Sequence, residues 1–320
     1  MGCDCVKIIK TRNCPDGLIE KDDIVKVTDM GKIKEVRYMY KVRTEGLGVK
    51  KISKDEYIEV DTGEVHQYNH GESRKDNVDG LRKTFKKIRG IINYNFHGKA
   101  NELMITLTYK ENMTDVKRLH KDFVKFWKRF KYKYGNDIDY FNVVEPQARG
   151  AWHCHVLVKF NDKEKIYIDN KELADIWGHG FITVKSLKAV DNIGAYLSAY
   201  LGDIEVTDEN NEYIQANLNE KVFECKTIDV DGQKKKFIKG GRLYLYPVGM
   251  NIYRKSKGIL MPTDYNTTYG DFKKEIGDTE PFYKTAVIIG LDDDFATGKI
   301  AECNRIVYEQ YKIDTKTDGK

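Results

Sequence analysis

Two histidines separated by one residue lie in an apolar, β-branched stretch, residues 152–158 (WHCHVLV). Side chains alternate between the two faces of a strand, so His153 and His155 point the same way, about 6–7 Å apart along the chain. Two imidazoles on one face can hold one divalent metal ion. Glu145 follows another strand-like stretch, residues 140–144 (YFNVV), and adds a carboxylate upstream of the histidines.

A pair of tyrosines follows the histidines. Tyr196 and Tyr200 are four residues apart, which places them on one face of a helix. A metal beside paired tyrosines can cut and rejoin a DNA strand through a phosphotyrosine. Each motif alone is usually incidental, and the chain has 21 Tyr, so their order and context carry the interpretation.

The composition predicts a folded protein. The chain has 320 residues, of which 40% are hydrophobic, enough for one large domain or two ordinary ones. It contains no run of about 18 apolar residues, so no membrane span is expected. The N-terminus has no apolar signal core, and the expected location is the cytoplasm.

The charge is unevenly distributed. Residues 74–133 hold 17 Lys and Arg against 6 Asp and Glu, whereas the whole chain has a net charge of only +5. A basic stripe beside an acidic remainder favours a polyanion partner, although a solvated helix face gives the same pattern. The candidate DNA-contacting residues are Arg82, Lys86, Arg89, Lys125, Arg129 and Arg149.

The six cysteines do not predict a disulfide framework in a cytosolic chain of this size. Cys3, Cys5 and Cys14 could share a zinc ion with His66 or His70. Their spacing matches no standard zinc-finger pattern, so free thiols are favoured over a structural zinc site.

The apolar periodicity predicts an ordered series of helices and strands. We expect a helix with Leu81, Phe85, Ile88 and Ile92 on one face, and a helix capped by Asp115. The other predicted elements are strands at 103–109, 140–145, 152–159 and 180–184, a helix near 170–177, and a tyrosine-bearing helix at about 189–201. Strands 140–145 and 152–159 are expected to pair as a hairpin. Further on, 243–247 reads as a strand and 253–258 as a basic loop. The order is typical of an α+β sandwich with an antiparallel sheet.

Three motifs, taken in order, resemble those of rolling-circle replication initiators, the HUH endonucleases of plasmids and single-stranded DNA phages. They are residues 104–109 (MITLTY), 145–155 (EPQARGAWHCH) and 196–200 (YLSAY), and the resemblance spans roughly 73–202. It implies an HUH-type α+β sandwich with a ferredoxin- or RRM-like central antiparallel sheet and flanking helices. The implied domains are an N-terminal region of unknown role (1–72), the endonuclease (73–204), and a C-terminal extension partly packed on it (205–320).

The resemblance also implies a chemistry. His153 and His155 would bind Mg²⁺ or Mn²⁺ with Glu145 as third ligand, and Tyr196 and Tyr200 would be the nucleophiles of a nicking-closing enzyme. Single-stranded DNA and an origin DNA hairpin are the implied substrates. No phosphate-binding GxxxxGK[ST] motif occurs, so a host helicase and polymerase are expected partners.

One departure from the family pattern concerns lysines. The family often has Lys beside the second tyrosine and three residues after it, where this chain has Ala199 and Asp203. Which tyrosine leads is therefore open. A conjugative relaxase or single-strand transposase with the same chemistry, and a non-catalytic nucleic-acid-binding module, are the alternatives.

Overall fold

The computed structural model describes residues 6–12, 16–41, 49–60, 62–68, 78–147, 150–188, 192–194, 197, 204–206, 225–230, 233–238, 242, 245–247, 249–292 and 300–313. The chain divides into two compact units. One comprises Gly71–Met261, and the other combines Met1–His70 with Pro262–Lys320. The first contains the predicted site and is described first.

Three helices are described in the Gly71–Met261 unit: α1 (Val78–Asn95), α2 (Val116–Tyr134) and α3 (Asn170–Trp177). Its strands are β7 (Glu102–Thr108), β8 (Ile138–Pro146), β9 (Trp152–Phe160), β10 (Ile182–Ser186), β11 (Ile204–Glu205), β12 (Cys225–Val230), β13 (Gln233–Ile238) and β14 (Tyr253–Lys255). An antiparallel sheet with the order β10-β7-β9-β8-β14 forms the centre, and β11, β13 and β12 form a small separate sheet.

Local sequence signals explain the helix ends. The Asp115 carboxylate accepts hydrogen bonds from the first backbone N–H groups of α2, as expected for an N-cap. Asp169 caps α3 in the same way, and Gly178 ends α3 in the left-handed conformation. The α2 stripe that includes Leu119, Phe123, Phe126 and Phe130 is buried, which confirms its helical periodicity.

Both faces of the central sheet are covered. The rings of Phe123 and Trp127 from α2 contact Tyr140, and Trp177 of α3 packs against Phe126, so these helices lie on the Tyr140 face. The opposite face is also apolar, because Phe141 and Leu157 are buried there. On α1, the residues Leu81, Ile88, Ile91 and Ile92 are buried in the same core.

The second unit is built on a larger antiparallel sheet. Its elements are β1 (Val6–Arg12), β2 (Ile24–Asp29), β3 (Ile33–Met39), β4 (Val49–Lys51), β5 (Glu56–Glu59), β6 (Val65–Gln67), β15 (Thr263–Thr268), α4 (Tyr269–Ile276), β16 (Pro281–Asp292) and β17 (Ile300–Lys312). Six strands are ordered β1-β16-β17-β3-β2-β15, and β4-β5-β6 form a separate sheet. Phe272 of α4 packs on the six-stranded sheet with Val25, Val36 and Val307.

The expected α+β class with a central antiparallel sheet is confirmed. The division of the chain differs from the expected consecutive segments at 1–72, 73–204 and 205–320. Residues from 262 onward group with the N-terminal region, because β17 pairs with β3 and β16 pairs with β1. The first and last described strands thus share one sheet, while the Gly71–Met261 unit lies between them in sequence.

Two local expectations near the end of the central unit are wrong. Leu245, expected in a strand, lies in a short helical turn, and residues 253–255 form a strand rather than a loop. That strand, β14, is the sheet edge beside β8. No helix in the described part of the chain is long and apolar enough to cross a membrane.

Candidate metal centre

Strand pairing brings the two histidines and the glutamate to one face of the central sheet. His153 in β9 lies directly opposite Glu145 in β8 and Thr108 in β7. His155 lies opposite Thr106 and, because it is two residues from His153, shares its face. The imidazole centroids are 6.4 Å apart. The predicted face-sharing of the histidines is therefore confirmed, with Glu145 beside them.

His155 is held at both ring nitrogens. Its Nδ1 lies 3.2 Å from the hydroxyl oxygen of Thr106, and its Nε2 lies 2.5 Å from Oε2 of Glu145. With Nδ1–H donating to the hydroxyl, Nε2 is directed at the carboxylate. This arrangement fixes the orientation of the imidazole, as hydrogen bonds to metal-bound histidines do.

Glu145 is almost fully buried, and neighbouring positive groups compensate the negative charge of its carboxylate. Its second carboxylate oxygen forms an ion pair with Arg242, whose guanidinium also donates to the backbone carbonyl of Pro146. Burial alone would raise the pKa of Glu145. The hydrogen bond from His155 and the nearby charges of His155, Arg242 and His153 outweigh burial, so the pKa lies below its usual value. The carboxylate is therefore ionised at neutral pH, as a metal ligand must be.

The chemical types in the donor set fit a divalent metal ion. Two imidazoles and one carboxylate on one sheet face suit Mn²⁺, and Mg²⁺ is compatible through the carboxylate. The approach of His155 Nε2 to Oε2 of Glu145 places two of the candidate ligand atoms side by side. Gln147 lies past the end of β8, where its backbone N–H donates to the carbonyl of Ala151.

The two predicted nucleophiles, Tyr196 and Tyr200, lie outside the described residues. The neighbouring residues Ile193, Gly194 and Leu197 are helical, and Ile193 and Leu197 are buried in the same core as the sheet. The N–H of Gly194 donates to the side chain of Asn93 in α1 at 2.8 Å. The described positions 193, 194 and 197 of the predicted helix are therefore helical, and Gly194 contacts α1.

The predicted DNA-contacting residues are spread over two helices. Arg82 and Lys86 are exposed on α1, with Arg89 half-buried. Lys125 and Arg129 are exposed on α2, where Arg129 donates to the backbone carbonyl of Trp177. Arg149 lies outside the described residues. The basic stripe is therefore at the surface, as binding to a polyanion requires.

The alternative zinc site is only partly covered by the structure. Cys3, Cys5, Cys14 and His70 lie outside the described residues. His66 is exposed beside the carboxylates of Glu59 and Glu64, at 3.7 Å and 3.6 Å. Its described neighbours are thus oxygen ligands rather than thiols.

The sequence interpretation missed two residues at the metal centre. Thr106 belongs to the first motif, but only the β7–β9 register shows that its hydroxyl meets His155. Arg242 is 97 positions from Glu145 and has no motif around it. Strand alternation could have indicated Thr106, whereas no local pattern pointed to Arg242.

Comparison with known protein families gave one match, and the matched segment includes the candidate site. Residues 102–205 match the family model described as replication-associated protein ORF2/G2P. The match spans roughly a third of the chain and includes Glu145, both histidines and both tyrosines. No curated protein and no solved structure matched the chain. The family match supports a replication initiator, a class of protein that binds DNA.

Proposed function

We propose that this protein starts rolling-circle replication by nicking and religating one DNA strand at an origin, in a metal-dependent reaction with a 5′-phosphotyrosine intermediate. The observation that carries the proposal is the cluster of His153, His155 and Glu145 on one sheet face. The cluster lies inside the segment that matches the replication-associated family. Initiation by the rolling-circle route requires one strand to be broken, and this cluster carries the donor types suited to phosphoryl chemistry.

The chain's own residues supply the nucleophile and the positioning. A tyrosine oxygen, from Tyr196 or Tyr200, forms a bond to the scissile phosphorus while the bond from phosphorus to the 3′-oxygen breaks. The phenolic proton ends on that 3′-oxygen, which leaves as a hydroxyl that can prime a polymerase. The reverse reaction reseals the strand without ATP because the phosphotyrosine retains the ester bond.

The metal ligands orient the phosphate. A bound Mn²⁺ or Mg²⁺ would polarise a phosphoryl oxygen and hold the phosphate for in-line attack. Thr106 contacts His155, and Arg242 forms an ion pair with Glu145. These contacts orient the two candidate ligands before DNA binds. Such preorganisation is what a catalytic metal site needs.

The test is incubation of the full-length protein with supercoiled plasmid carrying its own gene neighbourhood, with and without Mn²⁺. We expect Mn²⁺-dependent relaxation and a protein–DNA adduct. Replacement of both His153 and His155 by Ala should abolish cleavage, and circular dichroism checks that the variant remains folded. Cleavage by the double variant at the wild-type rate would refute the metal assignment.

The tyrosines are tested separately. If the two alternate, Tyr196→Phe and Tyr200→Phe should each still nick, and only the double variant should lose the covalent adduct. If one is dedicated, its Phe variant alone should be inactive. Mass spectrometry of the digested adduct identifies the modified residue, and an adduct on Tyr109 or on a serine would refute this mechanism. The origin that is cut separates a replication initiator from a relaxase or transposase.

A further inference from the structure

An exposed aromatic side chain lies on the edge strand of the central sheet, in line with the metal ligands. Phe181 directly precedes β10 and is 70% exposed. The N–H of Thr108 donates to its carbonyl at 2.9 Å, which continues the β10–β7 ladder by one residue. Since Ile182 lies opposite Leu107, Phe181 lies opposite Thr108.

Strand alternation then fixes its face. Thr108 lies opposite His153, and His153 lies opposite Glu145. Phe181, Thr108, His153 and Glu145 therefore form one row across four strands, on one face. Neighbouring strands are about 4.8 Å apart, so Phe181 is about 10 Å from His153.

A cavity adjoins Phe181 along the chain. Its volume is about 610 Å³, and it is lined by Lys110, Glu111, Gly178, His179 and Gly180. This volume lies in the range of sites for small molecules and nucleotides. The carboxylate of Glu111 is paired with Arg118 at 2.7 Å. Lys110, in contrast, is exposed and has no ion pair with another residue in the described part of the chain.

The cavity wall is preformed. The Lys110 N–H donates to the carbonyl of His179 at 3.0 Å. A Cβ on Gly180 would lie 2.4 Å from the backbone nitrogen of Lys110 and 2.6 Å from the carbonyl oxygen of Thr108. Only glycine permits so close an approach of the segment to β7. The position of Phe181 is thus set by the backbone on both sides.

The His179 imidazole is also anchored. Its ring packs edge-on against Trp177, with centroids 4.9 Å apart, and its Nε2 lies 3.7 Å from the buried carboxylate of Asp122. The Tyr109 hydroxyl donates to the same carboxylate. A cation and an anchored imidazole therefore line a space of nucleotide size, and Phe181 directly follows Gly180 of its wall along the chain.

We propose that Phe181 and this cavity form a subsite for one nucleotide of single-stranded DNA. The base stacks on Phe181 and a backbone phosphate lies near Lys110. Exposed aromatic rings bind single strands in this way, because every base has a π face to stack. Placing this nucleotide near the scissile phosphate rests on the proposed function, whereas strand binding by the subsite does not.

The test measures DNA binding without metal, so it does not depend on cleavage. The full-length protein is titrated into fluorescein-labelled oligothymidine in EDTA, and fluorescence anisotropy gives the Kd. Phe181→Ala should weaken binding about five- to a hundredfold, as loss of one stacked base does. Phe181→Trp should bind like the wild type, and Lys110→Ala should bind more weakly with a shallower salt dependence.

A matched control comes from the same unit. Tyr167 is 82% exposed, and Tyr167→Ala should leave the Kd unchanged. With 5-iodouridine placed at one position of the oligonucleotide, ultraviolet crosslinking should label the peptide that contains Phe181. Wild-type affinity of Phe181→Ala, an equal loss in Tyr167→Ala, or a crosslink only elsewhere would each overturn the subsite.

The outcomes separate the two proposals. Loss of binding in Phe181→Ala with no nicking by the wild type would support the subsite and refute the endonuclease. Nicking by the wild type with unchanged binding by Phe181→Ala would support the endonuclease and refute the subsite.

Discussion

The hydrogen bond between Thr106 and His155 allows a sharp test of the metal centre. Thr106→Val keeps the β-branched shape and removes only the hydroxyl, whose oxygen lies 3.2 Å from Nδ1 of His155. Loss of such a supporting contact typically lowers metal affinity 10- to 100-fold. A neutral hydrogen bond contributes about 1 kcal/mol, whereas a tenfold change in affinity corresponds to about 1.4 kcal/mol. We therefore expect the lower end of that range, a roughly tenfold weaker Mn²⁺ affinity.

Isothermal titration of Mn²⁺ into the full-length protein measures this change without requiring DNA or cleavage. Thr183 provides a matched control, because it lies opposite Thr106 on the same face, is exposed, and belongs to edge strand β10. Thr183→Val should bind Mn²⁺ like the wild type. Thr106→Ser, which retains a hydroxyl, should restore most of the affinity.

Two results would contradict the reasoning. Unchanged Mn²⁺ affinity in Thr106→Val would show that the hydroxyl does not orient His155. An equal loss in Thr106→Val and Thr183→Val would show that the effect reflects the sheet rather than the imidazole. If Mn²⁺ binds neither the wild type nor the variants, the metal centre itself is refuted.

Three further predictions concern the basic helices and the packing of the central unit. Binding to single-stranded DNA should weaken with salt, with log K falling by about 0.7 per log unit of salt for each phosphate contact, and a flat dependence would show that the basic stripe is only solvated. Gly194→Ala should lower the free energy of unfolding by about 1–3 kcal/mol in urea titrations, because its Cβ would lie 2.6 Å from the backbone oxygen of Arg89. Asp115→Ala should lower that free energy by about 1 kcal/mol through loss of the α2 cap, and exposed Asp162→Ala should not.

Local patterns predicted the elements of the central unit well. Helix α3 occupies residues 170–177 as expected, and the Asp115 cap of α2 is present, because capping and apolar periodicity act within a few residues. The pairing of β17 with β3 joins segments more than 260 residues apart. Nothing in either strand's own sequence encodes its partner, so the division of the chain could not be predicted.

The candidate site shows the same contrast. The shared face of His153 and His155 follows from alternation along one strand. Their proximity to Glu145 depends on the β8–β9 register, which the expected hairpin made predictable. Arg242, which pairs with Glu145, directly precedes residues 243–247. The sequence predicts a strand for those residues, but the structure has a helical turn at Leu245. Tertiary packing rather than local sequence determines the conformation of that segment. The role of Arg242 therefore could not be predicted from the sequence.

The row of Phe181, Thr108, His153 and Glu145 depends on two backbone turns rather than on the side chains in it. The β8–β9 turn closes through the Gln147 N–H donating to Ala151, with Gly150 at a φ of 83°. The β7–β10 approach requires Gly180. A slip of one residue in the β8–β9 register would turn His153 and His155 away from Glu145 and present Cys154 in their place. The geometry of the candidate metal centre therefore depends on these two glycines as well as on the ligands.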